Sequence, residues 1–190
     1  MGSDLASALR PALVLTLLFA LLLGLAYPLA LTAAGQAAFT KQANGSLLRD
    51  ERGRVVGSAL IGQRFTSPRY FHGRPSAAGD GYDPLASGGS NLGPASAKLA
   101  DRVRADRKAL GPGAPADLLQ ASASGLDPEI SPEAARFQAP RIAAARGVPE
   151  TAVVALITGN TKRPRLGFLG EPRVNVIALN LALDRQGSAR

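Results

Sequence analysis

Hydrophobic and polar positions are spread unevenly along this chain. From Ala12 to Leu31 twenty consecutive residues carry no charge, and ten of them are leucine. A helix of that length reaches about 30 Å, the thickness of a bilayer's hydrocarbon core. Thr16, Gly24, Tyr27 and Pro28 interrupt the run without adding charge, and each leucine favours insertion by roughly 0.5 kcal/mol. A cleavable signal would have a shorter apolar core of about 7–15 residues. A buried core helix would need other segments apolar enough to enclose it, and no second run comes close. The pattern predicts a short N-terminus over residues 1–11 and one transmembrane helix over residues 12–34.

After that run the periodicities are short. Residues 35–53 are small and polar and read as a connector. Arg54 to Ile61 is rich in β-formers and stops at Gly62, which predicts a strand. A helix is expected from about Pro94 to Leu110, with Leu99, Val103 and Leu110 on one face and Gly111-Pro112-Gly113 as its stop. A second runs from the cap Ser131 and first-turn Pro132 to Gly147. A third starts near Pro149-Glu150 and carries Val153, Val154, Leu156 and Ile157. Arg173 to Leu183 alternates in part and reads as a strand, its final half also compatible with helix. Between Gly73 and Pro94 lies a long stretch of Gly, Ser, Ala, Pro and Asp, longer than an ordinary connection. Two or three strands with three helices make a small α+β domain over residues 54–190.

Charge changes this picture little. The net charge is +8, and all but one of the 22 Lys and Arg residues follow the apolar run. The densest group, Arg102, Arg104, Arg107 and Lys108, is interleaved with Asp101 and Asp106, the mark of a solvated helix face. No nucleic-acid partner is expected. Lys41, Arg49, Arg52 and Arg54 outnumber the positive groups before the helix. That count alone would put the domain in the cytoplasm, but long domains translocate largely regardless of flanking charge.

The chemistry on offer is limited. The chain has no cysteine, hence no disulfide, thiol nucleophile or thiolate metal site. A single histidine, His72, cannot build a multi-histidine metal site. Phosphate loops, dinucleotide fingerprints and nucleophile elbows are missing from the sequence, and no catalytic residue is assigned. Ala20 and Gly24 form a small-x-x-x-small pair, continued by Ala26, Ala30 and Ala34, which would let a second membrane helix approach closely.

Several short blocks are distinctive together. They are Gly57-Ser58-x-Leu60-Ile61-Gly62-Gln63-x-Phe65, Tyr70-Phe71-x-Gly73-Arg74-Pro75-Ser76-Ala77, Tyr82-Asp83-Pro84 and Ser87-Gly88-Gly89-Ser90-Asn91-Leu92. Ser124-Gly125-Leu126-Asp127-Pro128-x-Ile130-Ser131 and Gly170-Glu171-Pro172-Arg173-Val174-Asn175-Val176 complete the set. With one membrane helix ahead of them, these blocks resemble the C subunit of the bacterial Kdp potassium-importing ATPases over essentially the whole chain. Ala123 departs from that pattern, standing where the family's Ser-Gly-Ser-Gly-Leu-Asp-Pro run has glycine.

The resemblance implies a non-catalytic accessory subunit in the bacterial cytoplasmic membrane, single-pass, with its N-terminus inside and its α+β domain extracytoplasmic. Implied partners are a channel-like potassium subunit, a P-type ATPase subunit and a small single-helix subunit, besides membrane lipid. It also implies a nucleotide role, ATP on Ser87, Gly88, Gly89 and Ser90, raising the ATP affinity of the ATPase subunit. Paired glycines free the backbone to aim N–H groups at a phosphate, and Gly-Gly between serines is equally the composition of a plain turn. An extracytoplasmic loop would not meet cytoplasmic ATP.

Candidate interface residues are Ala20 and Gly24 in the membrane, and Gln63, Tyr70, Phe71 and Asn91 in the domain. The two aromatics serve either the core or a partner surface. Asp127 suits a turn that bonds its own backbone, and Arg74 and Arg173 suit ion pairs within the fold. The alternative from another class is a free-standing membrane-anchored basic protein that holds anionic polymer or lipid.

Overall fold

The computed structural model describes residues 2–164 and 166–188, with side chains for 7–164 and 166–186. The chain divides at Ser46 into two units.

The first unit is helical. Helix α1 (Gly2–Leu21) passes through a π-helical turn, Leu22–Ala26, into α2 (Tyr27–Ala38), and a short α3 (Thr40–Ala43) follows. The wide turn has a local cause. Pro28 offers no N–H and its ring crowds the carbonyl one turn back, so the backbone there opens to the next larger ring. From Ser7 to Ala38 the helix is long and apolar enough to cross a membrane, and its side chains are exposed in the unit. The apolar run of the sequence thus lies inside one longer helix.

The second unit is mixed α+β. It opens with a hairpin, β1 (Leu47–Arg49) paired antiparallel with β2 (Val55–Ser58), in which Leu48 faces Gly57. Strand β1 falls within what the sequence presents as connector: three residues are too few to show alternation. Helices α4 (Ala97–Leu110) and α5 (Ala116–Leu119) come next, then β3 (Glu129–Ile130), α6 (Pro132–Arg146), α7 (Glu150–Asn160), β4 (Thr161–Lys162), β5 (Arg173–Asn175) and α8 (Val176–Ser188). Strand β5 is the centre of a three-stranded antiparallel sheet, ordered β3-β5-β4.

The core forms where α6, α7 and α8 meet this sheet. Ala134, Ala135 and Ala139 of α6 are fully buried, and such small side chains bring its axis close to α7, which contributes Val153 and Ile157. Ile142, Val174, Leu179 and Phe71 fill the centre, each worth roughly 1.5–3 kcal/mol by burial. Ser131 caps α6 by accepting from Ala134 N at 2.9 Å, and Gly147 closes it in a left-handed conformation.

Two sequence expectations are corrected. The helix expected from Pro94 starts at Ala97, because Ser96 takes the cap and accepts from Leu99 N, leaving Pro94 in the preceding turn. The strand expected over 173–183 ends at Asn175. Val176, Leu179 and Leu183 recur at three and four residues and are all buried, the period of a helix. Asn175 sets the break, its Oδ1 accepting from Ala178 N at 3.0 Å.

Candidate functional site

The distinctive blocks meet at one junction of the second unit. Its spine is the segment 122–128, against which two otherwise irregular stretches are hydrogen-bonded. Ser122 N donates to Pro75 O and Ala77 N to Ser122 O, both at 2.7 Å; Tyr82 N donates to Ser124 O at 2.7 Å and Gly88 N to Ala123 O at 3.0 Å. From the other side Gly62 N donates to Leu126 O at 2.8 Å. Glycine at 62 is a steric requirement: a Cβ there would sit 2.8 Å from Asp127 O and 3.1 Å from Gly125 O.

Charge locks the junction. Arg74 Nη1 reaches Asp127 Oδ2 at 2.9 Å, while Asp127 Oδ1 accepts from Glu129 N at 3.0 Å in the turn the sequence suggested. Arg173 pairs with Glu129 at 2.9 Å, so the guanidinium of the Glu-Pro-Arg block finds its carboxylate on β3. Asn175, 4% exposed, donates to Ala59 O at 2.8 Å and ties the Gly57–Phe65 block to the start of α8.

A second clamp holds Tyr70 to His72. Asn180 of α8 accepts from Phe71 N at 2.8 Å and donates to Phe71 O at 3.0 Å; Gln138 of α6 accepts from His72 N at 2.8 Å and donates to His72 O at 3.1 Å. Two buried amides thereby satisfy a stretch of backbone that lies in no sheet. Nothing in the sequence marks Gln138 or Asn180 for this; each looks like a polar break in an apolar face.

Beside the junction opens a cleft of about 710 Å³, lined among others by Arg64, His72, Arg74, Tyr82, Phe137 and Arg141. Its cations are engaged. Arg64 donates to Asp80 O and lies 5.3 Å from the Tyr82 ring; Arg141 donates to Pro68 O, Tyr70 O and Gln138 Oε1. Burial, and then the Arg141 charge, push the His72 pKa below its usual 6.5, while Ser67 O opposes the shift. Among the described residues no three His, Cys, Asp or Glu side chains gather as metal ligands.

The sequence candidates fall in different places. Phe71 is fully buried, which takes it out of any surface and assigns it to the core. Tyr70 is half-buried, its hydroxyl donating to Asp184 at 3.1 Å and its ring under Arg146 at 5.0 Å. Burial first, then Asp184, raise its pKa. Gln63 is exposed and donates to Val56 O, and Asn91 is exposed in a left-handed turn with φ 51°. Ser87, Gly88, Gly89 and Ser90 form an exposed loop. Neither glycine there has a left-handed φ, and α4 begins only after Ser96. Ala20 and Gly24 lie on the long helix, Gly24 inside the π turn with open space around it.

Helix and junction define a class: a small chain with one membrane-length apolar helix and an α+β unit whose distinctive residues hold the fold together. The comparisons give the family. The family described as KdpC, "K+-transporting ATPase, c chain", matches residues 9–185. A Potassium-transporting ATPase KdpC subunit from Caulobacter vibrioides is 63% identical over 183 residues, covering 94% of this chain and 93% of the relative. Proteins of the same name from Gemmatimonas aurantiaca and Geobacter sulfurreducens are 57% and 55% identical, each over 93% of this chain and over 92% and 96% of their own lengths. The chain belongs to the KdpC family, a subunit of the K+-transporting ATPase and not its catalytic chain.

Proposed function

We propose that this chain is an accessory subunit that holds together the channel-like and ATPase subunits of a potassium importer, anchored by its single helix with the α+β unit outside the cytoplasm. The observation that carries this reading is where the family's distinctive residues are spent. Arg74, Asp127, Gly62, Asn175 and Arg173 each bond or pack against another part of this same unit. They build a rigid body for partners to dock on, with the pump's chemistry left to other subunits. The rival reading, capture of an anionic polymer, would call for free cations, whereas Arg64, Arg74 and Arg141 at the cleft are already bonded within the chain. Nucleotide binding at Ser87–Ser90 is left out of the proposal, because Gly88 N is spent on Ala123 O and no helix N-terminus follows directly.

Two experiments test it. The full chain, co-expressed with the other subunits, should be retained on a tagged ATPase subunit through detergent purification. Its elution alone would overturn the assembly role. A Ser87→Cys variant places the chain's only thiol on an exposed loop. It should react with a membrane-impermeant maleimide in whole cells, and reaction only after lysis would put the unit in the cytoplasm.

A further inference from the structure

The membrane-length helix leaves one backbone acceptor without a donor at its middle. In the wide turn Leu22–Ala26, Tyr27 N donates to Leu22 O. That occupies the N–H which an α-helix would give to Leu23 O. The wider ring would instead bring Leu23 O the N–H of the next residue, which is Pro28 and has none. Pro28 is also the α-helical partner of Gly24 O, which is left to compete with Leu25 O for Leu29 N. Leu23 lies midway along Ser7–Ala38, at a depth where a bilayer holds no water to pair it.

Among the described residues of the span no side chain makes this good. A hydroxyl on a helix reaches back to a carbonyl three or four residues earlier. Thr16 precedes Leu23, and Thr32 reaches only as far back as Pro28. Between them the one side-chain donor is the Tyr27 hydroxyl, carried at the far end of an exposed ring and too far out to fold back onto its own helix. Lipid tails have no donor. The acceptor is also approachable: its peptide runs into Gly24, which has no Cβ to shield it, and Ala26 closes the turn with a methyl group.

We propose that Leu23 O is a docking acceptor, to which a neighbouring transmembrane helix of the same transporter donates from a serine, threonine, asparagine or glutamine side chain at mid-membrane depth. The inference rests on the accessory role given above and names the contact that seats the helix. A neighbour without a donor at that depth leaves the acceptor bare in hydrocarbon. The contact therefore selects the partner as well as holding it.

The test uses the full chain co-expressed with the other subunits and recovered through a tag on the ATPase subunit. Tyr27→Thr places a hydroxyl four residues after Leu23, where it bonds Leu23 O from within the helix and displaces the partner's donor. Tyr27→Val has the same shape without the hydroxyl. Both keep Pro28 and leave the span uncharged, so both should reach the membrane in wild-type amounts. Retention of the threonine variant should fall roughly three- to twentyfold below that of the valine variant, the range of interhelical hydrogen bonds in membranes. Equal retention of the two variants would overturn the docking acceptor alone. A wild type that elutes by itself would overturn the accessory role and this inference with it.

A second readout observes the acceptor directly. Leucine labelled at its carbonyl carbon, together with glycine labelled at nitrogen, marks the Leu-Gly peptides, and the Leu23 signal is the one lost in Gly24→Ala. In solid-state magnetic resonance of the chain alone in phosphatidylglycerol bilayers, its shift should be that of an unpaired amide. In the reconstituted complex it should move to the hydrogen-bonded range. A hydrogen-bonded shift in the chain alone would assign the donor to water or to a second copy. An unmoved shift in the complex would leave the acceptor unused, and either result overturns the proposal.

Discussion

Replacing Gly62 by alanine tests whether the junction is as close-packed as its geometry requires. The added Cβ would lie 2.8 Å from Asp127 O and 3.1 Å from both Gly125 O and Leu126 C, all backbone atoms that cannot rotate away. Ordinary contact would need one strand of chain to retreat by about half an ångström, since carbon contacts settle near 3.5 Å. The retreat would lengthen the Gly62 N to Leu126 O bond from 2.8 Å towards the limit of useful geometry. Segment 125–127 cannot follow freely, because Arg74 holds Asp127 and Tyr82 N holds Ser124 O.

Forced overpacking of this kind costs about 1–3 kcal/mol. For a folded unit of this size that lowers the midpoint of thermal unfolding by roughly 2–12 °C. The comparison is Gly88→Ala on the exposed loop, where a Cβ meets nothing within 4 Å. That change should be neutral or stabilise by about 0.4–1 kcal/mol through the unfolded chain. Both full-length variants would be scanned in detergent by far-UV circular dichroism at one heating rate. Neither glycine has a left-handed φ, so backbone strain contributes to neither and the difference reports packing alone. Coincident melting of the two variants would refute the steric reading of the junction.

Two further outcomes follow from local environments. The pKa of His72 lies below 6.5 in the folded chain, chiefly from burial; below that pH the unfolded chain therefore binds a proton the folded one resists, so stability falls as pH drops until the folded pKa is passed. A His72→Gln variant should flatten the decline in urea midpoint from pH 6.5 downward, and an unchanged slope would count against it. In the membrane helix, Gly24→Leu should leave membrane insertion intact while weakening retention in the complex, because a small residue four positions from Ala20 lets a neighbouring helix approach closely; unchanged co-purification would remove Gly24 from the interface.

Sequence patterning shows the parts of this fold whose determinants are local. The apolar run, the Ser131-Pro132 start and the Gly147 stop of α6 each depend on residues within a turn or two, and the structure places them accordingly. The last element shows where that logic stops. Val174, Val176, Leu179, Leu181 and Leu183 satisfy a strand's alternation and a helix's spacing almost equally well, and Asn175 decides between them by capping α8 while its amide donates to Ala59 O, 116 positions earlier.

The same limit governs the site. Asp127 and Arg74 could be read as turn and ion-pair residues because their types announce those roles, although their pairing spans 53 positions. Gln138 and Asn180 announce nothing: an amide on an apolar helix face scores only as a weaker helix until the backbone it satisfies, 66 and 109 positions away, is known. The β4–β5 tip is the opposite case. Leu166, Phe168 and Leu169 are as apolar as the buried Ile142, Val174 and Leu179, yet they are exposed, because hydropathy is identical whether a segment is enclosed or presented. The core is filled by residues of α6, α7, α8 and β5 with Phe71, Leu118 and Ile130, and these side chains are left outside it.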